Sequence, residues 1–455
     1  MENVKMISEF KIQSRWRLLL VLVFLSGISS GWAAVITINP GDDYRKIEAA
    51  QAGDEVVIAP GVYRFRVYLT ARAPEDRPIV IRAQDPKNRP VWDFTGTLVE
   101  KAPGSYSAGD RGRGGWQVVG ASHYRISGIV FKGCRTASFN SAGIRYYGTR
   151  GLVVKDCLFQ ENDNGMTGGN EESEATVEFC EFDRNGNLNA TGGPTHNLYI
   201  YGGIFTLRYS YVHDSVQAQN FHIRAREAVL EYNWFARARS YEGDLMTDDD
   251  FSGSGPFSQS MLLRGNVFLQ KADPGNNSQI VVLYNDTEAQ NLTMSLRMIQ
   301  NTLIGNGGHA AFVHLSNASG TQMTAEVSNN VIFGTTRPTL IEDTAQGVVT
   351  GTKNWLATGV APGPLSHSVF SDEPGFRNAG TADYVPASGS VLIGQAAQTV
   401  TGLPDREYYR DETLARLYRP RKAALDIGAF EHTTEGEGIG PYASQTSSSA
   451  VLMVR

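Results

Sequence analysis

A chain of 455 residues with 41% apolar and 19% charged side chains is too hydrophobic for a disordered polymer and too sparsely charged for a coiled coil. Its 48 glycines, interleaved with apolar segments, call for many short strands and turns, and a net charge of −6 offers no footprint for nucleic acid. Three cysteines exclude a disulfide-stapled miniprotein, and no lysine lies between Lys155 and Lys271.

The chain opens with Lys11, Arg15 and Arg17 ahead of an apolar run from Leu18 to Ile28, followed by small residues including Gly31 and Ala33. That is the layout of a signal peptide over residues 1–34, cut near Ala33 or Ala34. The apolar core is shorter than the roughly 20 residues a membrane span needs. No later segment is long and apolar enough to span, so a secreted or periplasmic protein without a membrane segment is expected. Residues 40–64 then predict one short helix, DYRKIEAAQ, a strand and a Pro-Gly turn. The helix would cover the open end of a stack of strands, whose unpaired edge invites aggregation.

From Gly128 onward a phrase recurs: GIVFKGC at 128–134, DCLFQEN at 156–162, FCEFDRN at 179–185, YSYVHDS at 209–215 and YNWFARA at 232–238. It continues as GNVFLQK, QNTLIGN, NNVIFGT and KNWLATG, in steps of 23 to 35 residues. Each phrase follows a short run with apolar residues at every second position, the period of a strand with one buried face. A polar residue, often Asn, then marks a bend. A repeat of this length with several strands and almost no helical periodicity predicts an all-β, single parallel β-solenoid, with the variable excess inserted as loops at a corner. A β-propeller, the competing repeat fold, needs blades of about 40 residues built from hairpins. Residues 383–394 and 425–432 predict a closing segment, and the Gly/Ser/Thr-rich residues 433–455 a disordered tail. The β-solenoid domain then spans residues 35–432.

AGDEVVIAPGVY near the start, the Asn-bearing repeats and the terminal DIGAFE together resemble the secreted right-handed parallel β-helix superfamily typified by pectate lyases, over residues 36–432. DNGMTGGN (163–170), THNLYI (195–200), FHIRAR (221–226) and the RP…DIGAFE ending resemble a bacterial β-helix group of unassigned function. The resemblance implies the fold and a carbohydrate-active surface; it names no substrate.

Equivalent positions on successive coils of such a fold stack about 4.8 Å apart, so a site is a ladder of outward residues. Alternation turns Asn197 and Tyr199 outward in THNLYI, and His222, Arg224 and Arg226 outward in FHIRAR. Neighbouring coils offer Arg145, Asp244 and Tyr284. This set suits an acidic, uronate-containing polysaccharide, cleaved by β-elimination. Arg or Asn would neutralise the carboxylate, and a base would remove the proton at C5. The lysine gap leaves His222 or an arginine as base, and the imidazole titrates far closer to neutrality. The expected roles are His222 as base, Arg224 and Arg226 on the carboxylate and Tyr199 as acid. Arg145, His196, Asn197, Asp244 and Tyr284 are the expected substrate-binding residues, with a strand-capping role the alternative for His196.

Asp248, Asp249 and Asp250 could ligate Ca²⁺ or supply carboxylates for glycoside hydrolysis, and a solvated loop is the competing reading. No other cofactor is implied. His213 and Asp214 occupy the turn slot of the repeat and read as structural, and Arg237 and Arg239 as a solvated corner. Cys157 and Cys180 share a repeat position, which predicts an inward stack of reduced thiols, with a disulfide between them open as an alternative. The leading function is a polysaccharide lyase or a related epimerase, acting as a monomer. A glycoside hydrolase and a non-catalytic glycan-binding or surface protein are the competing readings.

Overall fold

The computed structural model describes residues 33–43, 45–96, 114–136, 141–189, 193–247, 256–271, 279–285, 291–305, 311–316, 321–334, 341–343, 347–409, 417–432 and 438–443. Its strands form three long sheets, the first and second of twelve strands and the third of ten, each taking nearly every third strand of the chain. All pairings within these sheets are parallel, so the chain winds as one coil with a strand on each of three faces. Parallel strands joined by such crossovers wind right-handed. The fold is a single right-handed parallel β-helix.

Alternation and register together build the core. On the first sheet Leu152, Ala175, Phe205, Ala228 and Met261 face one another in succession and are buried. The outward column on the same strands runs Lys155, Glu178, Arg208, Glu231, Arg264, alternating in sign. Arg208 pairs with Glu178 and Arg264 with Glu231, the cross-strand arrangement that favours this register. Inside the second sheet Phe131, Phe159 and Phe182 stack with ring centroids 5.1 and 4.6 Å apart.

The bend between the first and second sheets is a single residue in the left-handed region. Asp156, Phe179, Tyr209, Tyr232, Gln300, Asn329 and Lys353 hold φ between 50° and 59°, and Gly128 and Gly265 fill the same slot without a Cβ penalty. The next residue turns inward to form a buried hydrogen-bonded ladder. The amides of Asn233, Asn266, Asn301 and Asn330 each donate to the next asparagine's Oδ1, ending on Asn354, at 2.9–3.1 Å. Each amide also donates to a strand-end carbonyl, such as Leu207 O or Leu230 O at 2.9 and 2.8 Å. The ladder continues backward through Ser210, Cys180 and Cys157. The Cys157 N–H donates to Cys180 Sγ at 3.4 Å, and the Cys180 N–H to Ser210 Oγ at 3.1 Å. Cys134, Cys157 and Cys180 are buried free thiols, so the alternative Cys157–Cys180 disulfide is not formed.

The two ends depart from expectation. The N-terminal helix is one turn, Arg45–Glu48, with Ile47 buried in the core. The expected closing segment runs back along the molecule instead. Tyr384, Val385, Tyr408, Ala429 and Phe430 pack on Trp234, Val267 and Ile304 of the second sheet. Outward apolar residues of that sheet needed a cover, and the C-terminal segment supplies it. Arg421, buried, donates to Gly428 O at 3.2 Å, and Glu407 accepts from Arg419 Nε at 2.6 Å, so the RP…DIGAFE motif is a structural clamp. Within the expected tail, Ile439 bridges Tyr418 and Tyr442 donates to Asp156 Oδ2 at 2.7 Å, so residues 438–443 are held against the coil. Residues 1–32, which carry most of the signal-peptide reading, lie outside the described residues. No helix among the described residues is long and apolar enough to cross a membrane.

Candidate active site on the third sheet

With the second sheet covered, the third sheet carries the row of polar side chains. Strands Ala142–Tyr147, Asn164–Gly168, Leu198–Tyr201, Phe221–Arg224 and Gly243–Met246 lie side by side. Their register places Arg145, Thr167, Tyr199, His222 and Asp244 in one column. The alternation that buries Leu198, Ile200, Phe221 and Ile223 turns Tyr199 and His222 to the other face. Two residues on, Arg224 stands beside Tyr201 in the next outward column.

His222 is enclosed on three sides. His196 stacks on its ring with centroids 4.7 Å apart and planes 14° apart, and Tyr199 meets it edge-on at 4.8 Å. Its Nδ1 lies 2.8 Å from Asp244 Oδ1 in a contact short of ideal hydrogen-bond alignment. Arg224 Nε donates to His222 Nε2 at 3.1 Å, and Arg224 also donates to Thr247 O. A nitrogen that accepts from a guanidinium carries no proton, so the ring proton sits on Nδ1, facing Asp244.

Asp244 is completely buried, and its Oδ2 accepts from Gln219 Nε2 at 3.0 Å and Tyr241 OH at 2.9 Å. Burial first, then the Asp244 charge, pushes the Tyr241 phenol far above its usual range. Asp244, expected to bind substrate, is thus buried and faces His222 from the adjacent strand. His196 is also buried, and desolvation, then the neighbouring His222 and Arg224, hold its pKa well below the ordinary imidazole value. Its ring is buried beside Gln219 and stacked on His222, so His196 lies behind His222 and not on the surface.

Asn197 departs from the expected outward direction. It is fully buried, donating to His213 O at 2.8 Å and Asn220 Oδ1 at 2.7 Å, in a second ladder that runs Asn162, Asn185, Asn197, Asn220, Glu242. Strand alternation does not extend to a residue in the corner before Leu198, where the chain turns its side chain inward. Glu242 ends this ladder, and burial raises its pKa to about 8 against the opposing hydrogen bond from Asn220.

The remaining expected residues separate. Arg145 is buried three strands from His222, about 14 Å along the column at about 4.8 Å per strand. Arg226 is exposed beyond its strand end, and Tyr284 faces Met246 two strands past Arg224. Asp248, Asp249 and Asp250 lie outside the described residues. Gln219, Tyr241 and Thr247 were missed in the sequence because they sit in corners and strand ends, where periodicity carries no information.

His213 and Asp214 belong to an ion network. Asp183, His213 and Asp214 are close enough to share a metal ion, yet Arg237 pairs with Asp214 at 2.9 Å and Arg184 with Asp183 at 2.8 Å. Burial alone would lower the His213 pKa, but hydrogen bonds to Asp214 and Glu181 raise it. With Asp183 and Asp214 already paired to arginines, the cluster is a structural corner of the coil. Arg237 is part of it, also donating to Tyr211 OH at 2.6 Å, and is not simply solvated.

The coil, its asparagine ladders and the polar column on one face define a parallel β-helix protein of the pectate lyase-like fold. The chain is similar to pectate lyase Pel9A, at 14% identity and a TM-score of 0.53, over 88% of this chain and 96% of that one. It is also similar to an alginate lyase from Paenibacillus sp. str. FPU-7, at 15% identity and a TM-score of 0.45, over 70% and 97% of the two chains. No protein-family model and no curated protein sequence matches. At 14% identity the likeness to Pel9A defines the fold alone.

Proposed function

We propose that this protein is an exported polysaccharide lyase acting on an acidic, uronate-containing polymer. One observation carries the reading: His222 presents an unprotonated Nε2 on an outward column, beside Tyr199 and held by Arg224. The similar fold of a pectate lyase supports it. In the reaction, Nε2 takes the proton from C5 of the uronate. The C5–H electron pair becomes the C4=C5 double bond, the C4–O4 bond breaks, and its pair leaves on O4. Tyr199 returns a proton to O4. Negative charge builds on the carboxylate at C5 as the proton leaves, and Arg224 and the exposed Arg226 are the cations at hand to stabilise it. Asp244 faces the Nδ1 proton and balances the imidazolium formed on the way.

Incubation with alginate, pectate and glucuronan, followed by ultraviolet absorbance, tests the reading through the unsaturated product. New reducing ends without absorbance would mean hydrolysis; neither signal would mean a binding protein. His222→Ala should abolish turnover in a protein that keeps its melting temperature, and retained activity would reject His222 as base. Sequencing the N-terminus of the exported protein checks cleavage near Ala33 or Ala34.

A further inference from the structure

The contact that fixes the His222 tautomer also blocks the base. With Nδ1 directed at Asp244 and one ring face against His196, Nε2 is the nitrogen left to meet a substrate, and Arg224 Nε–H points into its lone pair at 3.1 Å. The two residues are successive outward positions on one strand, so this contact is built into the pleat. Thr247 O holds the guanidinium at a second point.

We infer that Arg224 is a specificity-determining cap on the base, lifted only when a free carboxylate of the substrate takes over its guanidinium. This rests on the lyase reading given above. A carboxylate accepts two parallel, charge-assisted hydrogen bonds from arginine, stronger than one Nε–H bond to a neutral imidazole. Binding a uronate therefore turns the guanidinium from His222 to the carboxylate and exposes the Nε2 lone pair beside C5 in the same movement. A methyl-esterified uronate has a weaker, neutral acceptor and leaves the cap in place. The base is thus released only over a sugar whose carboxylate is already neutralised, and an acidic polymer is selected against its ester by the catalytic step as well as by binding. No group is transferred in this movement; one hydrogen-bond acceptor replaces another.

Arg224→Met, which keeps the side-chain bulk and removes the donor, separates capping from simple carboxylate binding. Pectate, alginate and the methyl ester of each serve as substrates. Capping predicts that the variant loses at least tenfold in kcat on the free acid while its kcat on the ester rises above that of the wild-type protein. A fall on both, or an unchanged rate on the ester, overturns the cap. A second measurement needs no turnover: carbethoxylation of His222 by diethyl pyrocarbonate, followed by peptide mass spectrometry. The resting wild-type protein should react several-fold more slowly at His222 than Arg224→Met, and equal rates overturn the cap. A wild-type protein that cleaves none of these polymers, yet shows the difference in carbethoxylation, overturns the lyase reading and the gating step with it while leaving the contact established.

Discussion

His222 and Asp244 occupy facing positions on adjacent strands, with Nδ1 and Oδ1 2.8 Å apart and Asp244 wholly buried. His222, itself only 6% exposed, thus stands beside a buried carboxylate that is in turn held by Gln219 and Tyr241. The β-helix produces this pairing without a loop, because register alone puts the next coil's residue beneath the ring.

Asp244→Asn keeps shape and removes charge. General base catalysis contributes about 10²–10⁴-fold, and losing the group that orients the base should forfeit about 10²-fold in kcat with KM little changed. Steady-state kinetics beside a thermal melt make the check. A proportional rise in KM with kcat intact would return Asp244 to substrate binding.

The asparagine ladder predicts a stability effect far from the site. Asn266→Ala leaves Asn233 Nδ2 with one acceptor fewer and Leu230 O without the amide that donates to it. Stranding buried polar groups costs about 1–3 kcal/mol each, so the variant should lose about 2–4 kcal/mol. Urea denaturation measures this, and a loss below about 0.5 kcal/mol would mean that ladder bonds carry no net stability.

Glu242 ties stability to pH. Its folded pKa of about 8 lies above the ordinary carboxyl value of 4.5, with burial the cause. A carboxyl raised in the folded state stays protonated there while the unfolded chain has already ionised. Its contribution is complete below pH 4.5 and falls away as pH rises toward about 8. The wild-type protein should therefore lose more stability over this window than Glu242→Gln, whose amide does not titrate. Parallel denaturation curves from pH 4 to about 9 give the comparison, and identical slopes would remove Glu242 as the titrating group.

The thiols should be silent in the folded protein. All three are buried, and burial pushes the Cys134 pKa up to about 12, leaving almost no thiolate. A thiol reagent at neutral pH should report none of the three cysteines before unfolding and all three after. A stoichiometry of one after unfolding would instead reveal a disulfide.

Most of the coil was legible in the sequence, because period-two alternation is a local property. Leu152 and Val154 point inward from their own strand's pleat, whatever lies above them. The recurring Asn after the bend marked the ladder, and FHIRAR marked the polar face. The limits are equally local. Asn197 sits one residue before its strand, where alternation has no hold, and the inward turn came from ladder partners on other coils. The shared repeat position of Cys157 and Cys180 is local, but that their sulfurs continue a line of asparagine amides depends on Ser210 and Asn233, supplied by later coils.

By itself the sequence determined that this chain winds as a parallel β-helix and that His222 and Arg224 share one side of their strand's pleat. Only the tertiary structure decided what surrounds them. Insertions of different length separate the coils, so no count along the chain tells which residue lies beneath His222. The register of hydrogen-bonded strands does, setting Asp244 under the ring and Tyr199 beside it. The same holds for the C-terminal segment, whose place over Trp234 was decided by an apolar face left uncovered on the second sheet. Side-chain direction follows from neighbours in sequence, whereas partnership between coils follows from packing over distances that no local pattern encodes.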